Sequence, residues 1–227
     1  LKKADDFLDA AFPQVVDGRL AGQRIALMGS SGSTRDVVNE VRRSVSDAGA
    51  KLVYVGELAR KPDLEAIGEA VGVTVDDITS ANGVATAERL GRSVGRRVAR
   101  GRASRGLLRL TFGRFSGEFS RTRSDVYAHL PQRAGQAPIS GTDQKTADAF
   151  ERGFVRGLSL VQRRVVGVER SDTNPSSVRW YRALGLSTVD NVDRYAGKYA
   201  LVLTLDGATG DYGYKKTADA VIPPVAP

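Results

Sequence analysis

Early in the chain, the pattern of apolar and polar positions predicts a strand, a helix and a second strand. Residues 24–28 form a short apolar run, and the helix that follows carries valines on one face and stops at Gly49. The next apolar run, 51–55, begins directly afterwards. A helical crossover this short joins parallel strands, so the pattern predicts a β-α-β unit.

Helices and strands keep alternating in the remainder of the chain. An amphipathic helix over 1–12 begins without a cap, as the tail of a longer helix would, and Pro13 is predicted to end it. Asn174 and Pro175 are predicted to begin a helix that ends at Leu184. Further helices are predicted over 82–100 and 143–161, and further strands over 125–130, 164–168 and 199–205.

This alternation predicts an α/β fold with a Rossmann-like doubly wound, mostly parallel sheet and helices on both faces. The nearly all-apolar segment 199–205 suits a strand that is covered on both sides. We expect a single domain over 13–215 and a Pro-rich tail over 216–227. An Arg- and Gly-rich insertion near 82–123 is predicted to begin as a helix and to continue partly helical and irregular.

Composition narrows the possible chemistry. The chain has no cysteine, one histidine, His129, and one methionine, Met28. Disulfides, thiolate zinc sites and thiol nucleophiles are therefore excluded. A Ser-His-Asp triad would need His129, and no nucleophile-elbow motif accompanies it. No apolar run approaches the ~20 residues of a membrane span, so we expect a soluble domain.

The positive charge is concentrated in one segment. Eleven arginines and a single acid, Glu118, lie from residue 89 to residue 123, whereas the whole chain has a net charge of +8. This basic patch suggests nucleic-acid binding, contact with an anionic lipid surface, or a solvated helix face. No nucleic-acid-binding motif supports the first interpretation. The interleaved glycines predict a segment that is mobile or settles against a partner. The outer face of the predicted helix carries Arg89, Arg92, Arg96 and Arg100.

A Gly- and Ser-rich loop follows the first predicted strand, where ligands bind in open α/β sheets. Its backbone N–H groups and the helix after it resemble a phosphate cradle. The loop matches neither the dinucleotide fingerprint nor the Walker motif, and an ordinary tight turn has the same composition. Both interpretations stay open. The binding candidates in this loop are Gly29, Ser30, Ser31, Gly32 and Ser33.

A second polar loop follows the strand predicted over 164–168. Several carboxylates close together suit a hard cation, and the candidate metal ligands are Asp190, Asp193 and His129. The same carboxylates equally suit helix caps and ion pairs with nearby arginines. The binding candidates here are Glu169, Arg170, Ser171, Asp172, Thr173, Asn174, Ser187, Thr188, Asp190 and Asp193.

The C-terminal third carries a family resemblance. The stretches VGVERSDTNPSSV, STVDNVD and GDYGYKKTADAVIPP resemble the mycobacterial copper transport protein B family, MctB. The N-terminal half matches more loosely through GRLAGQRIALMG. The resemblance covers most of the chain and is specific from residue 150 onward.

The resemblance implies an actinobacterial envelope protein with an N-terminal membrane-spanning helix, a coiled coil and an α/β domain. Residues 1–12 would then end the coiled coil, and the natural start would have been removed. A membrane anchor, an extracytoplasmic position for this domain, homo-oligomerisation through the N-terminal helix and a role in copper efflux are also implied. Copper is implied as a cofactor only by this resemblance. Cu(I) prefers thiolate and thioether ligands and Cu(II) prefers imidazole, whereas this chain has no cysteine, one methionine and one histidine.

We therefore expect a domain that binds or assembles in the envelope, is associated with copper transport and is not itself catalytic. One alternative is an enzyme acting on a polar or phosphate-bearing envelope metabolite, with Asp172, Asp190 or Asp193 as the acid-base group. The other alternative is binding of anionic lipid or nucleic acid through the basic patch.

Overall fold

The computed structural model describes residues 2–30, 35–73, 75, 83–117, 126–130, 141–161 and 164–224. The helices in this part of the chain are α1 (Lys2–Val16), α2 (Arg35–Asp47), α3 (Leu64–Val71), α4 (Gly83–Ala99), α5 (Arg105–Thr111), α6 (Gly141–Ser159), α7 (Val178–Ala183) and α8 (Tyr195–Asp206). The strands are β1 (Arg24–Gly29), β2 (Lys51–Leu58), β3 (Phe112–Gly117), β4 (Val126–Leu130), β5 (Val165–Val168), β6 (Ser187–Val189) and β7 (Asp211–Tyr212).

The described strands form one sheet in the order β3-β2-β1-β4-β5-β6-β7. Neighbouring strands run parallel except β3, which pairs antiparallel with β2 at the edge. The β1-α2-β2 unit is parallel as predicted, and β4 lies between β1 and β5. The predicted α/β class is therefore confirmed, with a sheet that is mixed at its β3 edge.

Two separate core clusters lie on the two faces of the sheet. Ala26 and Met28 of β1 belong to the cluster that includes α4 and α6 side chains. Ile25 and Leu27 belong to the cluster that includes α2 and α8 side chains. Successive side chains of a strand point to opposite faces, so this division means that β1 is covered by helices on both sides.

Helices α4 and α6 pack with their backbones in close contact. Gly91 and Gly95 of α4 face Gly153 and Gly157 of α6, and a Cβ at any of these positions would collide with a carbonyl oxygen of the other helix. The sequence predicts that the glycines make this segment mobile or settle it against a partner. For Gly91 and Gly95 that partner is helix α6 of the same chain.

The prediction of a strand over 199–205 is wrong, because this segment lies inside helix α8. Ala200, Leu201, Val202 and Leu205 are buried in the core cluster that α8 shares with α2. A continuous apolar run suits a buried strand and a buried helix equally, so periodicity does not separate the two. The sheet is instead extended by β6, whose sequence Ser-Thr-Val is less apolar.

Helix α1 was predicted to end at Phe12, before Pro13, but it continues past the proline and ends four residues later at Val16. Proline removes one helical hydrogen bond, which opposes continuation of the helix. Phe12 and Val16 are both buried in the core cluster beside α2 and α8. This burial holds the last turn of α1 in place despite the proline.

The segment after residue 101, predicted to be partly helical and irregular, contains helix α5 and also the edge strand β3, which was not predicted. The ring of Tyr54 on β2 lies 5.6 Å from the ring of Phe112 and 6.3 Å from the ring of Phe115, between ring centroids. Aromatic pairs at these separations stabilise neighbouring strands. The insertion predicted near 82–123 therefore contributes a strand to the main sheet.

We predict that Gly91→Ala lowers the free energy of unfolding by about 2–3 kcal/mol, because the new methyl group must push α4 away from α6. Chemical denaturation followed by circular dichroism measures the change. The control is Gly106→Ala in α5, where a Cβ meets only the Ser104 hydroxyl at 3.8 Å. Alanine favours the helix there, so this variant should be up to about 1 kcal/mol more stable. Equal effects of the two substitutions would contradict the proposed helix contact.

Candidate functional site

The two predicted polar loops leave the same edge of the sheet. Ser30 directly follows β1 and Glu169 directly follows β5. Both strands are parallel to β4, which lies between them, so their carboxyl ends point in the same direction. Residues 31–33 of the first loop lie outside the described residues.

Glu169 is the most deeply buried acid of the second loop, with 1% of its surface exposed. One carboxylate oxygen accepts hydrogen bonds from the Ser176 hydroxyl at 2.7 Å and from the Lys215 ammonium at 2.5 Å. The other oxygen accepts the Ser177 backbone N–H at 2.7 Å. A buried carboxylate needs such donors, so Glu169 joins β5, the start of α7 and the C-terminal segment.

The helix predicted to begin at Asn174 and Pro175 begins at Val178, after Ser177, so Asn174 is not its cap. The Asn174–Pro175 peptide bond is cis, and Asn174 is exposed. The carboxylate of Glu169 accepts the Ser177 N–H next to the helix start instead. The Ser176 hydroxyl accepts the N–H of Val178, the first residue of the helix, at 3.3 Å.

Asp190 is buried and fastens the C-terminal segment to the end of β6. Its two carboxylate oxygens accept the backbone N–H groups of Tyr214 at 2.9 Å and Lys215 at 3.0 Å. A Cβ at Gly213, whose φ is +145°, would collide with this carboxylate. The carboxylate of Asp190 is therefore enclosed by backbone donors of its own chain.

Asp193 fastens the loop that follows β5. Its carboxylate accepts the backbone N–H of Ser171 at 2.7 Å and the Ser171 hydroxyl at 2.6 Å. Burial tends to raise the pKa of Asp193, but the hydrogen bonds from Ser171 and the nearby Arg170 charge lower it below its ordinary value. Asp193 is therefore held in its ionised form as an acceptor.

The remaining candidates of the second loop make local contacts. The Arg170 guanidinium donates to exposed Asp172 at 2.9 Å, and this hydrogen bond raises the pKa of Arg170. The Thr173 hydroxyl accepts the Arg170 backbone N–H at 3.2 Å. The charge of Asp36, in the first turn of α2, also raises the pKa of Arg170, so the start of α2 lies within electrostatic reach of this loop.

Ser187 and Thr188 belong to β6 and bind the neighbouring strand. The Thr188 hydroxyl donates to the Asp211 carboxylate at 2.7 Å, and the Ser187 hydroxyl accepts the Gly210 N–H at 3.2 Å. Arg182 of α7 pairs with the same Asp211 carboxylate at 2.9 Å. These contacts secure β7 to β6 at the end of the sheet.

The candidate metal ligands lie in different elements. His129 lies in β4, where it pairs in register with Met28 of β1 and Gly167 of β5, whereas Asp190 and Asp193 follow β6. Among the described residues, no three His, Cys, Asp or Glu side chains are grouped so that they could hold a metal ion. The carboxylates of Asp190 and Asp193 are instead occupied by the hydrogen-bond donors described above.

The basic patch lies partly on the surface of α4, as predicted. Arg89, Arg96 and Arg100 are exposed, whereas Arg92 is partly buried and pairs with Glu88 at 3.3 Å. Two arginines of α6 also pair with Glu88, Arg152 at 3.6 Å and Arg156 at 2.5 Å. One acid between the two helices thus balances part of a large positive charge.

Glu151 of α6 is a site residue that the sequence analysis missed. Its carboxylate accepts a hydrogen bond from the Ser30 hydroxyl at the end of β1. Burial raises the pKa of Glu151 to about 7; the bond from Ser30 acts in the opposite direction, and the charge of Asp148 adds to the rise. The sequence signal was only that Glu151 follows Phe150 on the inward face of the predicted helix.

Tyr181 of α7 is buried, and the charges of Glu151 and Glu169 both act on it. Burial raises the pKa of its hydroxyl well above the ordinary value, and the charges of Glu151 and Glu169 raise it further. Its ring packs against Gly167 of β5, where a Cβ would collide with the ring. Tyr181 therefore lies within electrostatic reach of the acids near both polar loops.

The matches to known proteins cover both polar loops. A family model described as "Copper transport outer membrane protein, MctB" matches residues 1–62 and 135–223, which is more than half of the chain. The chain belongs to the MctB family. No curated protein matches it.

The matched segments of the MctB chain run from α1 through β2 and from before α6 to the C-terminal segment. Glu151, Glu169, Asp190 and Asp193 all lie within them, whereas the basic helices α4 and α5 lie between them. The family description names copper transport and the outer membrane, which agrees with the expected envelope protein. Within the described residues of the MctB chain, none of the helices is both long enough and apolar enough to cross a membrane.

We predict that Glu151→Gln changes how the stability of this MctB chain depends on pH. The pKa of about 7 in the folded state exceeds the value of 4.5 expected in the unfolded chain. As pH rises through this window the unfolded chain loses its proton first, so the wild type loses stability. The glutamine variant should lack this loss and gain roughly 2–3 kcal/mol relative to the wild type between pH 4.5 and pH 8.

Urea denaturation at a series of pH values measures the difference. Glu69→Gln, on the exposed surface of α3, controls for removal of an acidic side chain. A difference between wild type and Glu151→Gln that stays constant across this pH range would contradict the prediction.

Proposed function

We propose that this MctB chain serves copper transport by assembling with other copies in the cell envelope, and that it does not act as an enzyme. The observation that carries the proposal is an apolar row left exposed on α1. Phe7, Leu8 and Val15 have 68%, 38% and 55% of their surfaces exposed. Helix α1 therefore has one face against the domain and another apolar face toward solvent.

The spacing of the exposed row supports pairing of α1 with a second copy. Leu8 and Val15 are seven residues apart, and Leu1 precedes Leu8 by the same interval. Ala4 and Ala11 fall between them at the complementary positions of a heptad. This pattern is typical of a coiled-coil seam, so we propose that α1 is the end of such a seam. From membership in the MctB family we also propose that the domain lies outside the cytoplasm.

The contacts of the acidic residues support a role that is not catalytic. Glu169, Asp190 and Asp193 accept hydrogen bonds from Lys215, Tyr214 and Ser171, which belong to other segments of the chain. A general base or a metal ligand needs a lone pair directed at its substrate or ion. In this chain those lone pairs are directed at the chain's own donors.

The chain order of the strands supports a doubly wound description of the sheet. From β1 the chain proceeds outward to β2 and β3, and then returns to β4 and proceeds outward to β7 on the other side. In such a sheet the strand order reverses between β1 and β4, where ligands bind. Ser30 and its partner Glu151 lie at this reversal.

Replacing the exposed row tests the proposed assembly. We expect the wild type to self-associate with rising concentration and Leu8→Asp with Val15→Asp to be monomeric, because two charges would enter an apolar interface. Sedimentation velocity or light scattering coupled to gel filtration measures the mass. Leu160→Asp is the control, since Leu160 is 60% exposed next to the end of α6. A wild type that stays monomeric, or a control that dissociates equally, would contradict the proposal.

Replacing Asp190 tests whether this carboxylate binds copper or only stabilises the fold. Asp190→Asn should lower the free energy of unfolding by about 1–3 kcal/mol, because the amide nitrogen would face one of the two partly buried N–H donors. Copper retained per chain in equilibrium dialysis against Cu(I) and Cu(II), with zinc as a comparison, should not change. Asp172→Asn, at an exposed position, is the matched control for both measurements. Copper-selective retention that is lost in Asp190→Asn would contradict the proposal and favour a carboxylate site.

A further inference from the structure

An open groove lies between α2 and the edge strand β3, with β2 as its floor. Two adjoining cavities of about 410 and 460 Å³ form it, and both are lined by Arg42, Val55 and Ser116. Helix α2 supplies one wall and β3 supplies the other. This volume is that of a small-molecule site, for which about 300–1,000 Å³ is usual.

The two walls each contribute an arginine. Arg42 of α2 and Arg114 of β3 are both exposed, and neither side chain forms an ion pair or hydrogen bond with any other residue that the structure describes. The acid in the lining, Glu57, already has an interaction partner in the chain. The groove therefore presents two guanidinium groups whose donors face solvent.

The groove also presents apolar side chains. Val55 of β2 on the floor and Val38 of α2 on the wall are only partly buried, although both pack against the core cluster beneath. Leu52 continues this surface into the second cavity. Covering such side chains removes apolar surface from water, which favours binding.

From these features we propose that the groove binds an amphipathic anion. A carboxylate or phosphate head would pair with Arg42 and Arg114, since guanidinium groups bind such oxygens through two parallel hydrogen bonds. The apolar body of the ligand would cover Val38 and Val55. The arginines alone would suit a free inorganic anion, and the floor alone would suit an uncharged amphiphile, so the combination defines the class of ligand.

Octyl phosphate, kept below its micelle-forming concentration, is the probe that tests this site. Isothermal titration calorimetry on the whole chain should give saturable binding of one molecule per chain. Inorganic phosphate and octyl glucoside should each bind at least tenfold more weakly, because each lacks one half of the recognition. Methyl NMR resonances of Val38 and Val55 should shift on binding, whereas those of Val202 in α8 should not.

Charge reversal at the walls provides the matched variants. Arg42→Glu and Arg114→Glu should each weaken octyl phosphate binding by tenfold or more, with an unchanged thermal midpoint because both side chains are exposed. Arg43→Glu is the control, since Arg43 is the next residue of α2, is equally exposed and does not line the groove. Equal binding of octyl glucoside, equal binding of inorganic phosphate, or an equal loss in Arg43→Glu would each overturn the proposal.

Discussion

The architecture of the carboxyl edge depends on one buried charge, the carboxylate of Glu169. An isolated ion in a protein interior is very costly, so the chain must bring donors to it. Those donors come from Ser176 and Ser177 before α7 and from Lys215 far along the chain. Satisfying Glu169 therefore fixes where α7 begins and where the C-terminal segment returns to the sheet.

Asp190 and Asp193 extend the same principle to the neighbouring loops. Each carboxylate accepts donors from a segment distant in sequence, Asp190 from residues 214 and 215 and Asp193 from Ser171. Charge-assisted hydrogen bonds of this kind are stronger than neutral ones and specify one arrangement of the loops. In the sequence these carboxylates resemble a reactive or metal-binding cluster, but in the fold they accept hydrogen bonds from other segments of the chain. Membership in the MctB family links the chain to copper transport.

Predictions from the sequence succeeded where a periodic pattern determined the structure. The parallel β1-α2-β2 unit, the central strand β4 and helices α4 and α6 follow from local periodicity and turn residues. The apolar segment of α8 was assigned to a strand because all its residues are apolar and no period distinguishes a helix from a strand. The edge strand β3 was missed because its pairing with β2 rests on Phe112 and Phe115 meeting Tyr54, a contact between residues distant in sequence.

The candidate site was predicted in its composition but not in its bonding. Sequence reasoning selected Glu169, Asp190 and Asp193, yet which donor meets which acid depends on the path of the chain after β6. Glu151 could not be predicted as a site residue, because a single acid in an amphipathic helix is ordinary. Its raised pKa arises from burial of the carboxyl beside Ser30. Burial of a single carboxyl is a tertiary property that residue spacing does not encode.

The pairing of Glu88 with three arginines has a consequence for how molecules of this protein approach one another. Glu88 is shared by Arg92, Arg152 and Arg156, and it is the only acid in residues 83–117. The exposed Arg89, Arg96 and Arg100 consequently give this side of the domain a field of one sign. Two copies that approach through these sides repel each other, so the field orients encounters toward other surfaces. Positive charge on α4 thereby disfavours this side of the domain as a contact between copies.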